Sequence, residues 1–250
     1  MRKIAIANQK GGVAKTTTTI NLGHALAEMG SRVLLVDLDP QGHLAEGFGI
    51  LSNDLETEMS AVLDGAAQIS DVIRNVRPNL DLAPSNIRLS AVEVKLFLKP
   101  RREDKLKQAL AGVEGRYDIA LIDCPPSLGI LTVNALSAAD EVLIPMTTDF
   151  YSMLGVDLLL RSIEEMRAEL NPGLRVLGVL PTRATRTVNA REVLDHTRSE
   201  LNGRVKVFDT MIRETVRFRE AASLGMTALE HPPAMEAVAA YRELAKELVA

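Results

Sequence analysis

The stretch Lys10-Gly-Gly-Val-Ala-Lys-Thr-Thr17 lies between an apolar segment at residues 4–7 and a second one that includes Ile20 and Leu22. This order predicts a strand, a glycine loop and a helix. The first N–H groups of a helix lack intrahelical partners, and the helix dipole adds partial positive charge there. Gly11 and Gly12 would let the backbone approach an anion without a Cβ in the way. The stretch therefore predicts a phosphate-binding loop.

Short apolar runs recur along the chain, at residues 33–36, 119–122, 142–145 and 176–179. Each is too short for a helix and too continuous for a half-exposed strand, as is typical of parallel strands covered on both faces. Helical patterns separate them, at residues 16–29, 103–111, 130–138, 153–170 and 189–201. Residues 52–99 are less periodic and predict short helices with a strand near residues 80–83.

This alternation predicts an α/β fold of the doubly wound type, with a mainly parallel sheet and helices on both faces. We find no linker or internal repeat, so residues 1–250 are expected to form a single domain. The net charge of −4 and the 25% of charged residues are ordinary for a soluble globular protein. With no apolar run long enough to span a bilayer and no leader, we expect a cytoplasmic protein.

Two lysines stand five residues apart in the loop. Lys15 would reach the β- and γ-phosphates of a nucleotide, and Thr16 would offer its hydroxyl to Mg²⁺. The usual pattern is G-x-x-x-x-G-K-[ST], and Gln9 and Ala14 occupy its two glycine positions. The sequence fits instead the variant Lys-Gly-Gly-x-x-Lys-Thr. Its extra lysine, Lys10, is poorly placed for its own γ-phosphate and could reach one held by a facing subunit, which implies two chains sandwiching two nucleotides.

Three carboxylates follow apolar runs. Asp37 and Asp39 end the run at residues 33–36, and Asp123 ends the run at residues 119–122. The carboxyl ends of parallel strands border the ligand crevice of open α/β sheets. Asp37 and Asp39 are two residues apart on extended backbone, so they point to the same side. The single cysteine, Cys124, has no neighbouring histidine or second cysteine, and we interpret it as a small buried residue.

Three motifs resemble those of a known family. Asn8-Gln-Lys-Gly-Gly-Val-Ala-Lys-Thr-Thr17 resembles the deviant Walker A box of ParA-type (ParA/Soj) partition ATPases, P-loop NTPases grouped with MinD and the nitrogenase iron protein. Val33-Leu-Leu-Val-Asp-Leu-Asp-Pro-Gln-Gly42 resembles the second motif, and Ala120-Leu-Ile-Asp-Cys-Pro-Pro-Ser-Leu-Gly129 resembles the Walker B motif. The late segment from Arg217 to Gly225 resembles part of the family's Arg-x-x-Glu-Ala-Pro-Ser-x-Gly. The chain looks like the small form without an N-terminal helix-turn-helix.

The sequence departs from this family at four positions. Ala14 replaces a usual glycine, and it would cost about 1 kcal/mol if the position requires a positive φ. His43 stands where asparagine is common, Ala222 where proline is common, and Leu154 where glutamate is frequent.

The resemblance implies a slow ATPase that uses ATP and Mg²⁺ and hydrolyses ATP to ADP and phosphate. It gives Asp39 the task of positioning the attacking water, while Asp37 and Asp123 hold the metal opposite Thr16. Lys10, donated across a homodimer, would supply charge in trans. The catalytic residues are then Lys10, Lys15 and Asp39, and the metal residues are Thr16, Asp37 and Asp123. The nucleotide-binding residues are Lys10, Gly11, Gly12, Val13, Ala14, Lys15, Thr16 and Thr17.

A basic sector lies late in the chain, since residues 174–219 hold ten Lys/Arg and five Asp/Glu. Few aromatic residues are interleaved with them, so contact with the phosphates of duplex DNA fits better than base stacking. An ordinary solvated arginine face remains the alternative. By resemblance, Arg186 and Arg217 match DNA-contacting positions of the family. The candidate DNA-binding residues are Arg183, Arg186, Arg213, Arg217 and Arg219.

The resemblance thus implies a nucleoid-associated partition ATPase. An ATP-bound sandwich dimer would bind DNA non-specifically, and a ParB-like or cargo-adaptor protein would trigger hydrolysis and release. The cargo could be a chromosome, a plasmid or a protein body. One alternative is a MinD-like membrane-associated division-site regulator, although residues 237–250 do not form a basic amphipathic helix. A metal-cluster reductase would need more than one cysteine. Ala14 leaves open a nucleotide-binding scaffold without hydrolysis.

Overall fold

The computed structural model describes residues 1–149, 152–232 and 236–249, and its described strands form one seven-stranded sheet. The strand order is β3-β4-β2-β5-β1-β6-β7. All neighbouring strands are parallel except the β3–β4 pair. The strands are β1 (Arg2–Ile6), β2 (Val33–Asp37), β3 (Arg74–Arg77), β4 (Leu80–Ala83), β5 (Ile119–Asp123), β6 (Glu141–Thr147) and β7 (Arg175–Thr182).

Helices connect the strands and cover both faces of the sheet. Two short 3₁₀ turns, Ser52–Asp54 and Arg102–Asp104, accompany them. The α-helices are α1 (Lys15–Glu28), α2 (His43–Glu46), α3 (Met59–Asp64), α4 (Ile69–Val72), α5 (Arg88–Leu96), α6 (Lys105–Ala111), α7 (Ile130–Ala138), α8 (Ser152–Glu169), α9 (Val188–Leu201), α10 (Arg217–Ser223) and α11 (Glu236–Val249).

The core consists of two apolar layers, one on each side of the sheet. Alternate residues of β2 belong to different layers: Leu34 and Val36 pack with α3, α5, α6, α7 and α8, whereas Val33 and Leu35 pack with α1 and α11. Because successive side chains of a strand point to opposite faces, a strand that is buried on both faces must be apolar throughout. The α/β doubly wound fold predicted from the sequence is therefore confirmed.

The predicted elements agree with the observed ones apart from their ends and three omissions. The strand predicted near residues 80–83 is β4, and the helix predicted at residues 103–111 is a 3₁₀ turn followed by α6. The antiparallel strand β3 was not predicted, because its sequence Arg-Asn-Val-Arg is exposed or half-buried and has no apolar run. The sequence pattern does not predict the short helices α2 and α10 either. The single-domain assignment stays a prediction.

The C-terminal helix α11 packs against α1 through buried residues that include Tyr241, Leu244 and Leu248. Residue 250 of this segment lies outside the described residues. In the described parts of the chain, none of the helices has the length and apolarity needed to cross a membrane.

Candidate active site

The glycine loop joins β1 to α1 at the carboxyl edge of the sheet. Gly12 has a φ of 73°, and Ala14, directly before the first residue of α1, has φ 64° and ψ 34°. The carbonyl of Ala14 accepts a hydrogen bond from the amide of Thr18 at 2.9 Å. Position 14 therefore adopts the left-handed conformation that favours glycine, and the Cβ of Ala14 costs about 1 kcal/mol there.

Lys15 is buried at the start of α1, with 7% of its surface exposed. Its Nζ donates to the carbonyl of Lys10 at 3.3 Å, and within the described chain it forms no salt bridge. Burial lowers the pKa of Lys15, while the negative charges of Asp123 and Asp39 raise it. A buried ammonium group without a direct counter-ion is suited to bind an anion such as a phosphate.

Asp37 and Asp123 form a buried carboxylate pair. They are register partners at the ends of β2 and β5, and both are almost fully buried. Oδ1 of Asp37 accepts from the amide of Asp39 at 2.9 Å, and Oδ1 of Asp123 accepts from the hydroxyl of Thr19 at 3.4 Å. The Oδ2 atom of each has no hydrogen-bond partner. Burial raises the pKa of both carboxyl groups, and the charge of Asp123 further raises that of Asp37.

Two orphaned carboxylate oxygens fit a hard divalent cation. Mg²⁺ prefers oxygen ligands and is usually held by one or two carboxylates, several waters and substrate phosphates. The described residues contain no cluster of three or more histidine, cysteine, aspartate or glutamate side chains that could enclose a metal. The donor set therefore suits a magnesium ion that is completed by a nucleotide better than an ion enclosed by protein alone.

A cavity of about 520 Å³ opens over the glycine loop. The loop and residues 14–17 form one wall, and Asp39, Gln41 and Pro126 line the end nearest the carboxylates. Ile212, Phe218 and other residues of the 212–219 segment also line the cavity. A polyphosphate on the loop would thus lie in a cavity that both Asp39 and the 212–219 segment line. Pro126 and Phe218 were not among the predicted site residues.

Lys10 lies outside this cavity. Its Nζ forms an ion pair with Asp149 at 2.5 Å and donates to the hydroxyl of Ser152 at 3.2 Å. A weaker contact joins it to Thr147. Burial alone would raise the pKa of Asp149, but hydrogen bonds from Lys10, Thr147 and Ser152 lower it to about 2. Lys10 is therefore held against the β6–α8 junction. The sequence alone does not reveal this cluster, because its members lie about 140 residues from Lys10 along the chain.

The five predicted DNA-binding arginines differ in whether they line this cavity. Arg183, Arg213 and Arg219 line the cavity over the glycine loop. Arg183 donates to the carbonyl of Gly12 at 3.0 Å and pairs with Glu214 at 2.7 Å.

Arg186 and Arg217 lie outside that cavity. Arg186 and Arg213 both approach Glu236, each at 3.5 Å, and Arg217 pairs with Glu220 at 2.9 Å. Their roles in DNA binding stay predictions.

A parallel sheet with a glycine loop at the N-terminus of α1, facing two metal-competent carboxylates, defines a P-loop ATPase. Residues 1–176 match the AAA_31 family model, described as an AAA domain. The chain is 42% identical over 249 residues to the sporulation initiation inhibitor protein Soj of Bacillus subtilis, covering 99% of this chain and 98% of Soj. It is 43% identical over 253 residues to the chromosome partitioning protein ParA of Caulobacter vibrioides, covering 100% and 94%. The chain belongs to the ParA/Soj family of partition ATPases.

A solved structure extends the comparison to ligands. The cobyrinic acid a,c-diamide synthase of Mycobacterium smegmatis has been solved with a bound ATP analogue and magnesium. It superposes with a TM-score of 0.88 at 38% identity, covering 100% of this chain and 94% of that protein. The same protein has been solved with ADP and magnesium.

Proposed function

We propose that this chain is a partition or positioning ATPase in which Mg²⁺-ATP holds two subunits together on DNA. The observation that carries the proposal is the pair of unpartnered carboxylate oxygens on Asp37 and Asp123, beside a cavity that the buried ammonium of Lys15 serves. Backbone amides of residues 11–17 would hold the phosphates. Asp37, Asp123 and the hydroxyl of Thr16 would hold Mg²⁺, which neutralises charge on the β- and γ-phosphates.

Asp39 is the residue that would orient the attacking water. It lines the cavity end nearest the carboxylates, and its side chain accepts a hydrogen bond from the amide of Gln41 at 3.0 Å, which fixes its direction. Phosphoryl transfer to water depends on positioning and charge stabilisation rather than on strong bases. We expect hydrolysis to be slow until a second subunit contributes positive charge to the terminal phosphate.

Lys10 is the group that a second subunit would contribute. In the single chain its ammonium is bound to Asp149, outside the cavity. Formation of the sandwich homodimer would exchange this carboxylate for a phosphate of the facing nucleotide. A ParB-like or cargo-adaptor protein would then accelerate hydrolysis and so release the dimer.

Non-specific DNA binding is assigned first to Arg186 and Arg217. Both lie outside the nucleotide cavity, and both pair with exposed or half-exposed carboxylates, Glu236 and Glu220, which DNA phosphates could replace. With roughly four to six phosphates contacted per dimer, the logarithm of the DNA-binding constant should fall with the logarithm of the salt concentration at a slope of about −4 to −5. Such binding would place the protein on the nucleoid in the cytoplasm, carrying a chromosome, a plasmid or a protein body.

The decisive experiment compares binding to duplex DNA with ATP, with ADP and without nucleotide. We expect strong binding with ATP alone, and a large loss in Arg217→Glu and in Lys10→Ala. Arg74→Glu is the matched control, because Arg74 is exposed on the edge strand β3 and far from the late basic sector in sequence. Equal binding in all three nucleotide states would contradict the proposal, as would an equal loss in Arg74→Glu.

Phosphate release separates an ATPase from a nucleotide-binding scaffold. Steady release that disappears in Lys15→Ala and Asp39→Ala is expected. A membrane-binding function finds little support in the contacts. It would need a free apolar face on α11, and that face packs against α1.

A further inference from the structure

The last residue of β7 and the residue after it hold two consecutive carbonyl groups of the glycine loop. The hydroxyl of Thr182 donates to the carbonyl of Val13 at 3.0 Å. Nη1 of Arg183 donates to the carbonyl of Gly12, also at 3.0 Å. Thr182 is fully buried, whereas the side chain of Arg183 is about half exposed. Because β6 lies between β1 and β7 in the sheet, these contacts join the loop to a strand that is not its neighbour.

The direction of each loop carbonyl determines the direction of the next amide. A trans peptide bond is planar, so its C=O and N–H groups point in opposite directions. While Arg183 holds the carbonyl of Gly12, the N–H of Val13 points away from Arg183. Thr182 acts in the same way on the N–H of Ala14, through the carbonyl of Val13. Among the described residues, neither N–H group donates to a backbone carbonyl, so both are available to an anion.

The side chain of Arg183 is fixed on its other side as well. Its Nε donates to Glu214 at 2.7 Å, and its Nη2 donates to the second carboxylate oxygen at 3.4 Å. The backbone of Arg183 has a φ of 48°, in the left-handed region that a residue with a Cβ enters only at a cost. Such conformations persist where surrounding contacts over-determine them, and they cluster at ligand sites. The amide of Ala184 supplies one such contact, donating to the carbonyl of Ile212 at 3.0 Å.

We propose that Thr182 and Arg183 are positioning residues for the phosphates of the bound nucleotide. They act through the glycine loop: they hold the carbonyls of Gly12 and Val13 away from the phosphates and thereby turn two amides toward them. The amides of such loops bind the α- and β-phosphates, so the effect falls on ADP as well as on ATP. The inference rests on the proposed function, because it needs a nucleotide in the cavity. It also assigns Arg183 to the nucleotide site instead of the DNA-binding surface.

The contacts of Arg183 differ from those of a side chain that is free to bind DNA. Three of its five N–H groups are already donated, and its side chain lines the cavity over the loop. Turning the guanidinium toward DNA would leave the carbonyl of Gly12 without this donor and would break both bonds to Glu214. Arg186, by contrast, approaches its carboxylate partner Glu236 only at 3.5 Å and lies outside the cavity.

Isothermal titration calorimetry of the full chain with Mg²⁺-ADP tests the proposal. ADP is the primary probe because it is not expected to hold two subunits together, so dimer formation does not enter the measured affinity. Arg183→Gln should weaken binding about five- to tenfold, because it removes a charge-assisted hydrogen bond from a half-exposed group. Glutamine keeps part of the stem but lacks the charge and the reach of arginine.

Arg175→Gln is the matched control for this substitution. Arg175 begins the same strand, pairs with Glu141 at 3.4 Å and does not line the cavity. This variant should change the affinity for Mg²⁺-ADP less than twofold. Wild-type affinity in Arg183→Gln, or an equal loss in Arg175→Gln, would overturn the proposal.

Variants of Thr182 separate hydrogen bonding from charge and from packing. Thr182→Val keeps the shape of the side chain but removes the donor, and it should weaken Mg²⁺-ADP about fivefold. Thr182→Ser keeps the donor and should bind within about twofold of the wild type. A purely structural role would give the reverse order, because serine loses a buried methyl group and valine does not. Equal losses or the reverse order would refute the proposal. If Arg183→Gln does not fold, this pair decides the outcome by itself.

A non-hydrolysable ATP analogue with magnesium distinguishes positioning from direct contact. Arg183→Gln should lose affinity for the analogue by about the same factor as for ADP. A loss with the analogue alone would mean that Arg183 contacts the terminal phosphate itself, which would overturn the positioning role. Unchanged affinity for both nucleotides together with weaker DNA binding would return Arg183 to the DNA-binding residues and would also contradict the proposal.

The result can be separated from the fate of the proposed function. If the variants show the expected affinities but the wild type lacks nucleotide-dependent DNA binding, the proposed function fails and this inference stands. If all variants bind nucleotide as the wild type does, this inference alone fails. A wild type that binds neither Mg²⁺-ADP nor the ATP analogue would refute both.

Discussion

Asp37→Asn should make the nucleotide-free protein more stable, although it removes a residue of the proposed metal site. Asp37 and Asp123 are register partners on adjacent parallel strands, and each carries an oxygen without a hydrogen-bond partner. Asparagine keeps the oxygen that accepts from the amide of Asp39 and puts an amide group in place of the orphaned one. The substitution removes one of two like charges while preserving the local hydrogen bond.

The size of the effect follows from the spacing of the strands. Neighbouring strands are about 4.8 Å apart, so the two carboxylates lie roughly 5 Å from each other. Two charges at that distance repel by about 3 kcal/mol when the effective dielectric constant is about 20. Because the pair retains a proton part of the time near neutral pH, we expect a gain of about 2 kcal/mol. For a chain of this size, that gain raises the melting temperature by about 4–8 °C.

The gain should depend on pH in a defined direction. Burial raises the pKa of Asp123 to about 7, and that of Asp37 is also raised. A carboxyl group whose pKa is higher in the folded state contributes stability below its unfolded pKa of about 3.9. That contribution is lost as the pH rises toward the folded pKa. The advantage of Asp37→Asn is therefore largest near pH 8 and shrinks toward pH 5.

Thermal unfolding followed by circular dichroism, with a chelator present, measures this advantage at both pH values. Asp118→Asn is the control of opposite sign. Asp118 directly precedes β5 and is exposed, and hydrogen bonds from Arg32 lower its pKa to about 2. Its removal should not stabilise the protein. A melting temperature of Asp37→Asn that is unchanged at pH 8, or a gain of equal size at pH 5, would refute the reasoning. Magnesium with a non-hydrolysable ATP analogue should then stabilise the wild type more than the variant.

Three other substitutions test separate features. Ala14→Gly should raise the melting temperature by about 1–3 °C, because the strain of the Ala14 side chain at a positive φ exceeds the entropy cost of glycine. Ala14→Val should lower the melting temperature. Shifts of the same sign in both variants would contradict this account. Asp149→Asn should lower the free energy of unfolding in urea by up to about 1 kcal/mol at neutral pH, since the Asp149 carboxylate is 48% exposed. This loss should vanish as the pH falls from about 4 to about 2. The same substitution should strengthen nucleotide-dependent dimerisation about fivefold, because it frees Lys10. Gly225→Ala should lower stability by about 2–3 kcal/mol, because φ is +66° and a Cβ would meet the backbone of Gly49 at 2.8 Å. Gly65→Ala, which has a positive φ but open space, is the control and should cost about 1 kcal/mol.

Local patterns were sufficient for most of the fold. The runs at residues 33–36 and 119–122 are apolar at every position because β2 and β5 are covered on both faces, and that property is visible in the sequence. The phosphate loop was visible for a similar reason, since glycines and lysines within eight residues determine its chemistry. Strand β3 was not visible, because an exposed edge strand pairs through its backbone and needs no apolar side chains.

Contacts between distant parts of the chain could not be predicted. The pairing of Lys10 with Asp149 requires β1 and β6 to be neighbours, and nothing near Lys10 specifies that neighbour. Similarly, Arg183 and Arg217 are both basic residues after β7, but only the folded chain turns Arg183 toward Gly12. Charge counts along the sequence group such residues together, whereas the geometry separates them.

The ion pair of Lys10 has a consequence for how ionic strength acts on this protein. If Lys10 leaves Asp149 for a phosphate of a facing nucleotide, one anionic partner replaces another, and few small ions are taken up or released in that exchange. Binding to a polyanion displaces its condensed cations instead and therefore weakens steeply as electrolyte is added. When the potassium chloride concentration is raised, the protein should therefore dissociate from DNA first, while the nucleotide-bound subunits stay paired in solution.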